Sequence, residues 1–285
     1  MGIDWKRITF GLDWAAVVCP LLLPVSFFWD LFTYWRLLLR FWCSQGANAH
    51  QQNVRKVQEQ VLALGQEGEG RKMCTARPSW MSISQQQLGY KDRMYRVKVD
   101  FLQDIVGVDK ENMLVSVEPG ITIGFLNRAL VNMGFTLPVV PELDTLTIGG
   151  LVMGGGIEST SHKYGLFHHP CKEYEVVTAD REVITANEDE NADIFHDIPM
   201  SYGTLGFVTN ITLQIIEYKP FIRLTYRPCY TLTDTVELLS KETHKETEND
   251  SVEGIAYSKD TAVIMTGQFV TEDKVEKQKI NRHGL

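Results

Sequence analysis

The chain has 285 residues, enough for one large domain or two of ordinary size, and 44% of them are hydrophobic, as in a folded protein. Its 28 basic and 36 acidic residues give a net charge of −8, which argues against a nucleic-acid-binding protein, whose contact surface would be basic. The 5 cysteines are scattered and form no C-x-x-C pair, so we expect neither a disulfide framework nor a zinc site.

A long apolar segment near the N-terminus predicts a membrane anchor. From Trp14 to Trp35 the residues are almost all apolar or small, and Asp30 is the charged residue that interrupts them. The run covers about the 20 residues that a helix needs to cross a bilayer. We therefore predict one transmembrane helix over about residues 14–36, within an anchor of residues 1–45. Arg36 and Arg40 slightly favour a cytosolic location for the chain that follows.

Two other interpretations of this segment stay open. A cleaved signal peptide would end in small residues at an A-x-A-like site, whereas bulky residues follow the apolar run here. A buried helix of a soluble domain would normally show a polar face, which this run lacks. An uncleaved anchor explains the segment best.

The chain after the anchor mixes helix and strand patterns and predicts an α+β domain over residues 46–218. Val54, Val57 and Val61 have helical spacing within residues 48–64. A second helix is expected to begin at Thr122 and to stop at Gly134. Alternating apolar residues predict strands at residues 95–99, 113–117, 174–179, 182–185 and 207–216.

The pattern restarts near residue 221. It reads as a strand, a helix around residues 234–245, and two further strands at residues 252–257 and 262–270. A domain of this size would normally need more elements to close its core. We interpret residues 219–285 as the beginning of an incomplete second α+β domain.

One short segment, which we call the glycine-rich window, holds the densest cluster of glycines. Glycine is costly to order and has no side chain to pack, so such a cluster indicates backbone that turns sharply or touches a ligand. Bare backbone N–H groups could hold a phosphate there. The window consists of Thr147, Ile148, Gly149, Gly150, Leu151, Val152, Met153, Gly154, Gly155, Gly156, Ile157, Glu158 and Ser159.

The window matches neither of the common nucleotide-binding loops. A Rossmann fingerprint joins a strand to a helix, but Pro138 and Pro141 precede the window and a polar segment follows Glu158, so we expect a loop with no clean strand before it and no amphipathic helix opening after it. A Walker A loop ends in G-K-[ST], which is absent. A turn-rich linker is the structural alternative, although the apolar residues 137–140 and 151–153 favour a buried position.

Other candidate sites carry less weight. His162, His168 and His169 are close in sequence, but the cysteine or carboxylate ligands of a convincing metal site are missing, so no metal is expected. The chain has no G-x-S-x-G elbow, which disfavours a hydrolase.

The window and its flanks resemble the FAD-binding domain of the vanillyl-alcohol-oxidase (PCMH-type) flavoprotein family. The resemblance lies in Pro141-Glu142-Leu143-Asp144, in Thr147-Ile148-Gly149-Gly150 and in the run from Ser161 to Leu166. It continues in residues 176–180 and in the segment 203–209. It implies a two-subdomain FAD-binding fold in which the window binds FAD through backbone N–H groups, with further contacts from Gly203, Gly206 and Val208.

Three departures from the family pattern bear on this interpretation. Arg181 occupies a hairpin position where the family usually has glycine. The stretch Arg77-Pro78-Ser79-Trp80 contains no histidine to attach FAD, so the resemblance implies non-covalent FAD. The chain ends before a complete substrate-binding cap, whereas relatives continue. Near a flavin, His162 or Lys163 could contact the phosphates, and Glu158 could bond a cofactor hydroxyl or cap a turn.

The resemblance also implies a reaction. The variant of the window with Ser161-His162-Lys163-Tyr164-Gly165 after it is similar to family members that reduce the Δ24 double bond of sterols, using NADPH and FAD, at the endoplasmic reticulum membrane. It implies a sterol substrate and names no catalytic residue. Two alternatives remain: a catalytically incomplete, membrane-anchored flavin-domain protein, and another FAD-dependent oxidase acting on an alcohol or a sugar lactone.

Overall fold

The computed structural model describes residues 18–43, 46–67, 72–77, 90–244 and 246–274. The chain divides into two compact units, residues 1–45 and 46–285. The described α-helices are α1 (Leu23–Cys43), α2 (Ala47–Glu67), α3 (Ile123–Val131), α4 (Ile148–Gly154), α5 (Ser161–Tyr164), α6 (Ala192–Asp197) and α7 (Leu232–Glu242). The described strands are β1 (Met73–Thr75), β2 (Tyr95–Val97), β3 (Ile105–Asp109), β4 (Leu114–Val117), β5 (Phe135–Thr136), β6 (Cys171–Val177), β7 (Val183–Asn187), β8 (Phe207–Gln214), β9 (Ile216–Glu217), β10 (Phe221–Cys229), β11 (Ser251–Ala256) and β12 (Ala262–Val270).

The first unit contains α1, which follows a π-helical turn over Val18–Leu22. The transmembrane helix predicted over residues 14–36 is not supported, because none of the described helices is long and apolar enough to cross a membrane. The helix extends to Cys43, so Asp30, Arg36 and Arg40 all fall inside it. The two arginines were expected to flank the apolar run, and their inclusion lowers the mean hydropathy of the helix.

The second unit is built on a five-stranded antiparallel sheet with the strand order β3-β4-β8-β6-β7. Helix α2 packs its Val54, Val57 and Val61 side chains into a buried cluster with Leu102 and Val177. This is the helical face that the spacing of apolar residues predicted. Leu62, the residue after Val61, is 37% exposed. The mixture of helices and antiparallel sheet confirms the predicted α+β class.

A buried polar cluster joins α2 to the sheet. The Nδ1 atom of His50 lies 3.0 Å from Oε1 of Glu118, and Nε2 lies 3.0 Å from Oε1 of Glu175. Asn53 Nδ2 also donates to Oε1 of Glu118, which is fully buried. Burial opposes a charge on His50, but the hydrogen bonds to the two carboxylates outweigh it and raise the pKa of His50 to about 9. An ion triad therefore fixes the helix on the sheet.

A smaller antiparallel sheet follows in the order β10-β12-β11. Helix α7 covers one face, where Leu238 and Leu239 pack on Cys229, Val252 and Ile264. The order strand, helix, strand, strand is the one that the sequence predicted. The division of the chain into domains at residue 218 stays a prediction.

Candidate functional site

The first half of the glycine-rich window is helical, whereas the sequence pattern predicted an irregular loop. Thr147 is the N-cap of α4, and its Oγ1 accepts a hydrogen bond from Gly150 N at 3.3 Å. Hydroxyl side chains are preferred at this position because they satisfy an otherwise unpaired N–H group of the first turn. The apolar residues Leu151 and Val152 are buried and hold the helix on the protein. Glycines lie within one helical turn of both residues on either side, so the spacing of apolar residues in the sequence did not indicate a helix.

The backbone N–H groups at the start of α4 are already used inside the protein. Ile148 N donates to Ile121 O at 3.0 Å, and Gly149 N donates to Pro119 O at 2.9 Å. A Cβ atom on Gly149 would lie 2.6 Å from Cβ of Pro119, so glycine is required here for close packing of two backbone segments. In this structure these N–H groups bond to carbonyl groups of the protein itself, and the expectation that they hold a phosphate stays a prediction.

The second half of the window has the features expected of a ligand-binding backbone. Gly155 has φ +81°, a conformation that favours glycine. Within the described residues, the N–H groups of Gly155, Gly156 and Ile157 have no hydrogen-bond partner. A Cβ on Gly154 would meet nothing within 4 Å, and the Ile157 side chain is 73% exposed. The unpaired donors and the open space lie next to each other.

The segment from Met200 to Gly206 packs beside the C-terminal end of α4. Met200 N donates to Val152 O at 2.9 Å, and Tyr202 N donates to Met153 O at 3.2 Å. Met200 and Tyr202 have positive φ, a strained conformation for residues other than glycine that is typical of functional loops, and Gly203 follows with φ +74°. The Tyr202 side chain is 62% exposed.

The structure brings the other predicted residues of this segment close to the window but gives them different surroundings. Gly203 has open space beside its Cα atom, since a Cβ there would meet nothing within 4 Å. Gly206 packs tightly, since a Cβ there would lie 2.7 Å from Cγ1 of Val176. Val208 is buried in β8. Gly206 and Val208 therefore pack at the start of the central strand β8, while Gly203 remains accessible.

Sequence reasoning missed two cations beside the window, the buried Lys91 and the half-buried Arg77. Arg77 Nη1 donates to Thr147 Oγ1 at 3.0 Å, and burial lowers the pKa of Arg77. Lys91 Nζ donates to Thr75 O, to Thr75 Oγ1 and to Arg77 O, and burial also lowers the pKa of Lys91. Lys91 thus fixes the end of β1, and Arg77 ties it to the N-cap of α4. The one feature of the sequence that could have drawn attention to these cations was the position of Arg77 directly before Pro78. Residues 78–80 themselves lie outside the described part of the chain.

The polar residues after the window face the second sheet. The ring of His162 lies between Ser159 O and Asn249 O, and Lys163 Nζ donates to Asp250 Oδ1 at 2.7 Å. The alternative that one of these side chains contacts flavin phosphates is not supported by this geometry. The pKa of Glu158 is raised by burial and by nearby carboxylates.

Comparison with known proteins shows what this chain is similar to. The family described as FAD binding domain matches residues 54–187. The chain is 41% identical over 286 residues to Delta(24)-sterol reductase of Macaca fascicularis, covering 98% of this chain and 54% of that protein. It is 37% identical over 294 residues to Delta(24)-sterol reductase homolog dhcr-24 of Caenorhabditis elegans, covering 98% and 56%.

A shorter similarity, 30% identity over 122 residues, relates it to L-gulonolactone oxidase of Mus musculus, covering 43% of this chain and 28% of that protein. The chain spans about half the length of the sterol reductases that it matches. These similarities confirm the predicted resemblance and, for the matched segment, the predicted flavin cofactor. Residues 54–187 therefore match an FAD binding domain, and the chain is similar over 98% of its length to the Delta(24)-sterol reductases.

Proposed function

We propose that FAD binds non-covalently against the second half of the glycine-rich window and the segment from Met200 to Gly206. The observation that carries this proposal is the run of unpaired N–H groups at Gly155, Gly156 and Ile157 beside the open space at Gly154. Together they offer hydrogen-bond donors and room for a flat, polar ligand. The N–H groups at the start of α4 take part only by holding the window in place.

We propose further that the complete protein reduces the Δ24 double bond of sterol intermediates, with NADPH as electron donor. Bound FAD supplies hydride transfer between the nicotinamide and the alkene. In this chain, the N–H groups of residues 155–157 orient the cofactor, and the exposed apolar side chains of Ile157 and Tyr202 exclude water from its surface. The pair of Arg77 and Thr147 keeps the window at the end of β1.

We propose a separate role for each of the three predicted domains. Residues 1–45 are an anchor, residues 46–218 hold FAD, and residues 219–285 begin a substrate-binding cap. The sterol would leave the bilayer to reach the flavin, so we also propose association with the endoplasmic reticulum membrane and a cytosolic flavin domain. The apolar side chains of Phe27, Phe28 and Trp29 on α1 are more than half exposed and suit contact with lipid.

Flavin binding is tested by enlarging Gly154. Because a Cβ there meets nothing, Gly154→Leu leaves packing intact, but its side chain fills the space proposed for FAD. We expect at least a tenfold loss of FAD affinity, measured by quenching of flavin fluorescence, with unchanged circular dichroism. Gly134→Leu is unsuitable as a control because of its positive φ, so Gly107→Leu, whose Cβ also meets nothing, is the matched variant. Full flavin affinity in a folded Gly154→Leu protein would contradict the site.

The reaction is tested with the chain itself. A cell extract that expresses it receives a sterol with a Δ24 double bond, NADPH and FAD, and the saturated product is measured against an extract with empty vector. Product formation excludes a catalytically incomplete flavin-domain protein. No product from a chain that retains FAD supports that alternative instead.

The similarity to L-gulonolactone oxidase supports a second candidate, an oxidase of alcohols or sugar lactones. Oxygen consumption with a sugar lactone, together with no reduction of the sterol, would favour the oxidase. The much longer similarity to the sterol reductases favours the first candidate.

A further inference from the structure

The backbone immediately after the glycine-rich window is hydrogen-bonded to β11. Ser159 O accepts a hydrogen bond from Val252 N at 2.9 Å and lies 3.1 Å from Nδ1 of His162. The other ring nitrogen of His162, Nε2, lies 3.2 Å from Asn249 O. We call the residues 159–163 and 249–252 the window–sheet junction. Its central feature is an imidazole placed between two carbonyl oxygens.

The protonation state of His162 decides whether both of these contacts are hydrogen bonds. A carbonyl oxygen only accepts, and a neutral imidazole has one N–H group, so it can satisfy one of the two carbonyls. The imidazolium has two N–H groups and satisfies both. The geometry of the junction therefore suits a protonated ring.

The sheet side of the junction is fixed by further hydrogen bonds. Asn249 is buried, and its Nδ2 donates to Glu242 O at 3.0 Å and to Glu242 Oε2 at 2.8 Å. Asp250 N donates to Gly267 O at 2.8 Å, and Asp250 Oδ2 accepts from Phe269 N at 2.8 Å. These bonds fix Asn249 O, the carbonyl oxygen that faces Nε2 of His162. The imidazole ring therefore holds Ser159 O at a fixed distance from the sheet.

The charged groups around the imidazole come from both sides. Lys163 on α5 donates to Asp250 on the sheet at 2.7 Å, and this hydrogen bond raises the pKa of Lys163. Glu242 lies behind Asn249. On the window side, burial is the main cause of the raised pKa of Glu158, and the nearby carboxylates of Glu142 and Glu253 raise it further. On the sheet side of the junction, Asp250 is thus paired with Lys163 and Glu242 is bonded to Asn249.

We propose that His162, as an imidazolium, is a positioning residue that holds the end of the glycine-rich window against β11 and thereby slows the release of FAD. The proposal rests on the proposed function, since it takes the window as the flavin site. Loss of the proton leaves one carbonyl without its donor, loosens the hydrogen bond between Val252 N and Ser159 O, and frees the window to move.

The experiment compares the full chain with His162→Gln, Lys163→Gln and the control His196→Gln, which alters an exposed histidine on α6. Two quantities are measured between pH 5 and pH 8: the hydrogen-exchange protection factor of the Val252 amide, corrected for intrinsic chemistry, and the rate of FAD release. In the unaltered chain we expect protection to fall about tenfold, and FAD release to accelerate about threefold, as the pH rises.

His162→Gln should show the low protection and the fast release at both pH values, because a glutamine side chain donates through one nitrogen only. Lys163→Gln should weaken protection but keep the pH dependence, which separates loss of the ion pair from loss of the imidazolium. His196→Gln should behave as the unaltered chain does.

Equal protection of Val252 in His162→Gln and the unaltered chain at pH 5 overturns the proposal. Unchanged FAD release in His162→Gln overturns the coupling to the flavin even where protection falls. A chain that binds no FAD at all refutes the proposed function, and the exchange data then still decide whether His162 holds the junction.

Discussion

Replacing His50 with glutamine should destabilise the second unit and remove most of its alkaline pH dependence. The pKa of His50 rises from 6.5 to about 9 in the folded protein, and the residue is 6% exposed, so screening by solvent is small. Each pKa unit corresponds to about 1.4 kcal/mol, so the protonated ring contributes on the order of 3 kcal/mol. A raised pKa stabilises the fold fully below pH 6.5, and this contribution is lost as the pH rises through 9.

Glu175 in the same cluster behaves in the opposite direction. Burial favours its neutral form, but the hydrogen bonds from His50 and Thr209 outweigh burial and lower its pKa. A lowered pKa contributes stability above 4.5 that is lost as the pH falls through the folded value. The cluster should therefore stabilise the protein most between about pH 4.5 and 6.5.

Urea unfolding at pH 6 and at pH 10 measures the effect. We expect the free energy of unfolding to fall by about 3 kcal/mol more in the unaltered chain than in His50→Gln over this range. At pH 6 the variant itself should be less stable by about 3–5 kcal/mol, because Glu118 and Glu175 lose their buried partner. The exposed His196→Gln is the control. An equal pH dependence in His50→Gln and the unaltered chain would refute the ion triad.

Three further predictions follow from single residues. Arg181 has φ +72° at the turn between β6 and β7, a strained conformation that glycine adopts readily. Arg181→Gly should therefore raise the free energy of unfolding by up to about 1 kcal/mol, measured by urea unfolding. A lower free energy of unfolding in the variant would show that the backbone at Arg181 is unstrained. Thr147→Ala removes the N-cap of α4 and the acceptor for Arg77, and should cost about 1 kcal/mol in the same assay and weaken FAD binding, whereas Thr147→Ser should retain both. Burial raises the pKa of Cys171 to about 12, so iodoacetamide at pH 8 should alkylate it far more slowly than the exposed Cys19. Mass spectrometry of digests measures both rates, and equal rates would mean that Cys171 is accessible.

The sequence by itself determined the α+β class, the main strands and helices, and the FAD binding domain. These follow from local patterns: alternation of apolar residues, the valine spacing of α2 and a glycine-rich motif with specific flanks. Even the unfavourable hairpin position at Arg181 was visible, because turn geometry depends on neighbours in the chain.

Only the tertiary structure decided how the glycines are used. Gly149 looked like part of a phosphate loop, but its N–H group is bound to Pro119 O and its missing side chain makes room for Pro119. The unpaired donors lie later, at residues 155–157. Local patterns in a single sequence do not show which carbonyl group will accept a hydrogen bond from which N–H group.

The same limit explains why sequence reasoning missed the partners of the two cations, Arg77 and Lys91, and of the two histidines, His50 and His162. The partners of His50 and His162 are separated from them by at least 68 and 87 residues, apart from the local contact of His162 with Ser159. Such pairings depend on the strand order β3-β4-β8-β6-β7 and on the approach of β11 to the window, which no local pattern encodes. The sequence thus predicted a glycine-rich backbone for flavin binding, and the tertiary structure decided which part of that backbone is open and which polar contacts hold it, because those contacts join residues that are distant in the chain.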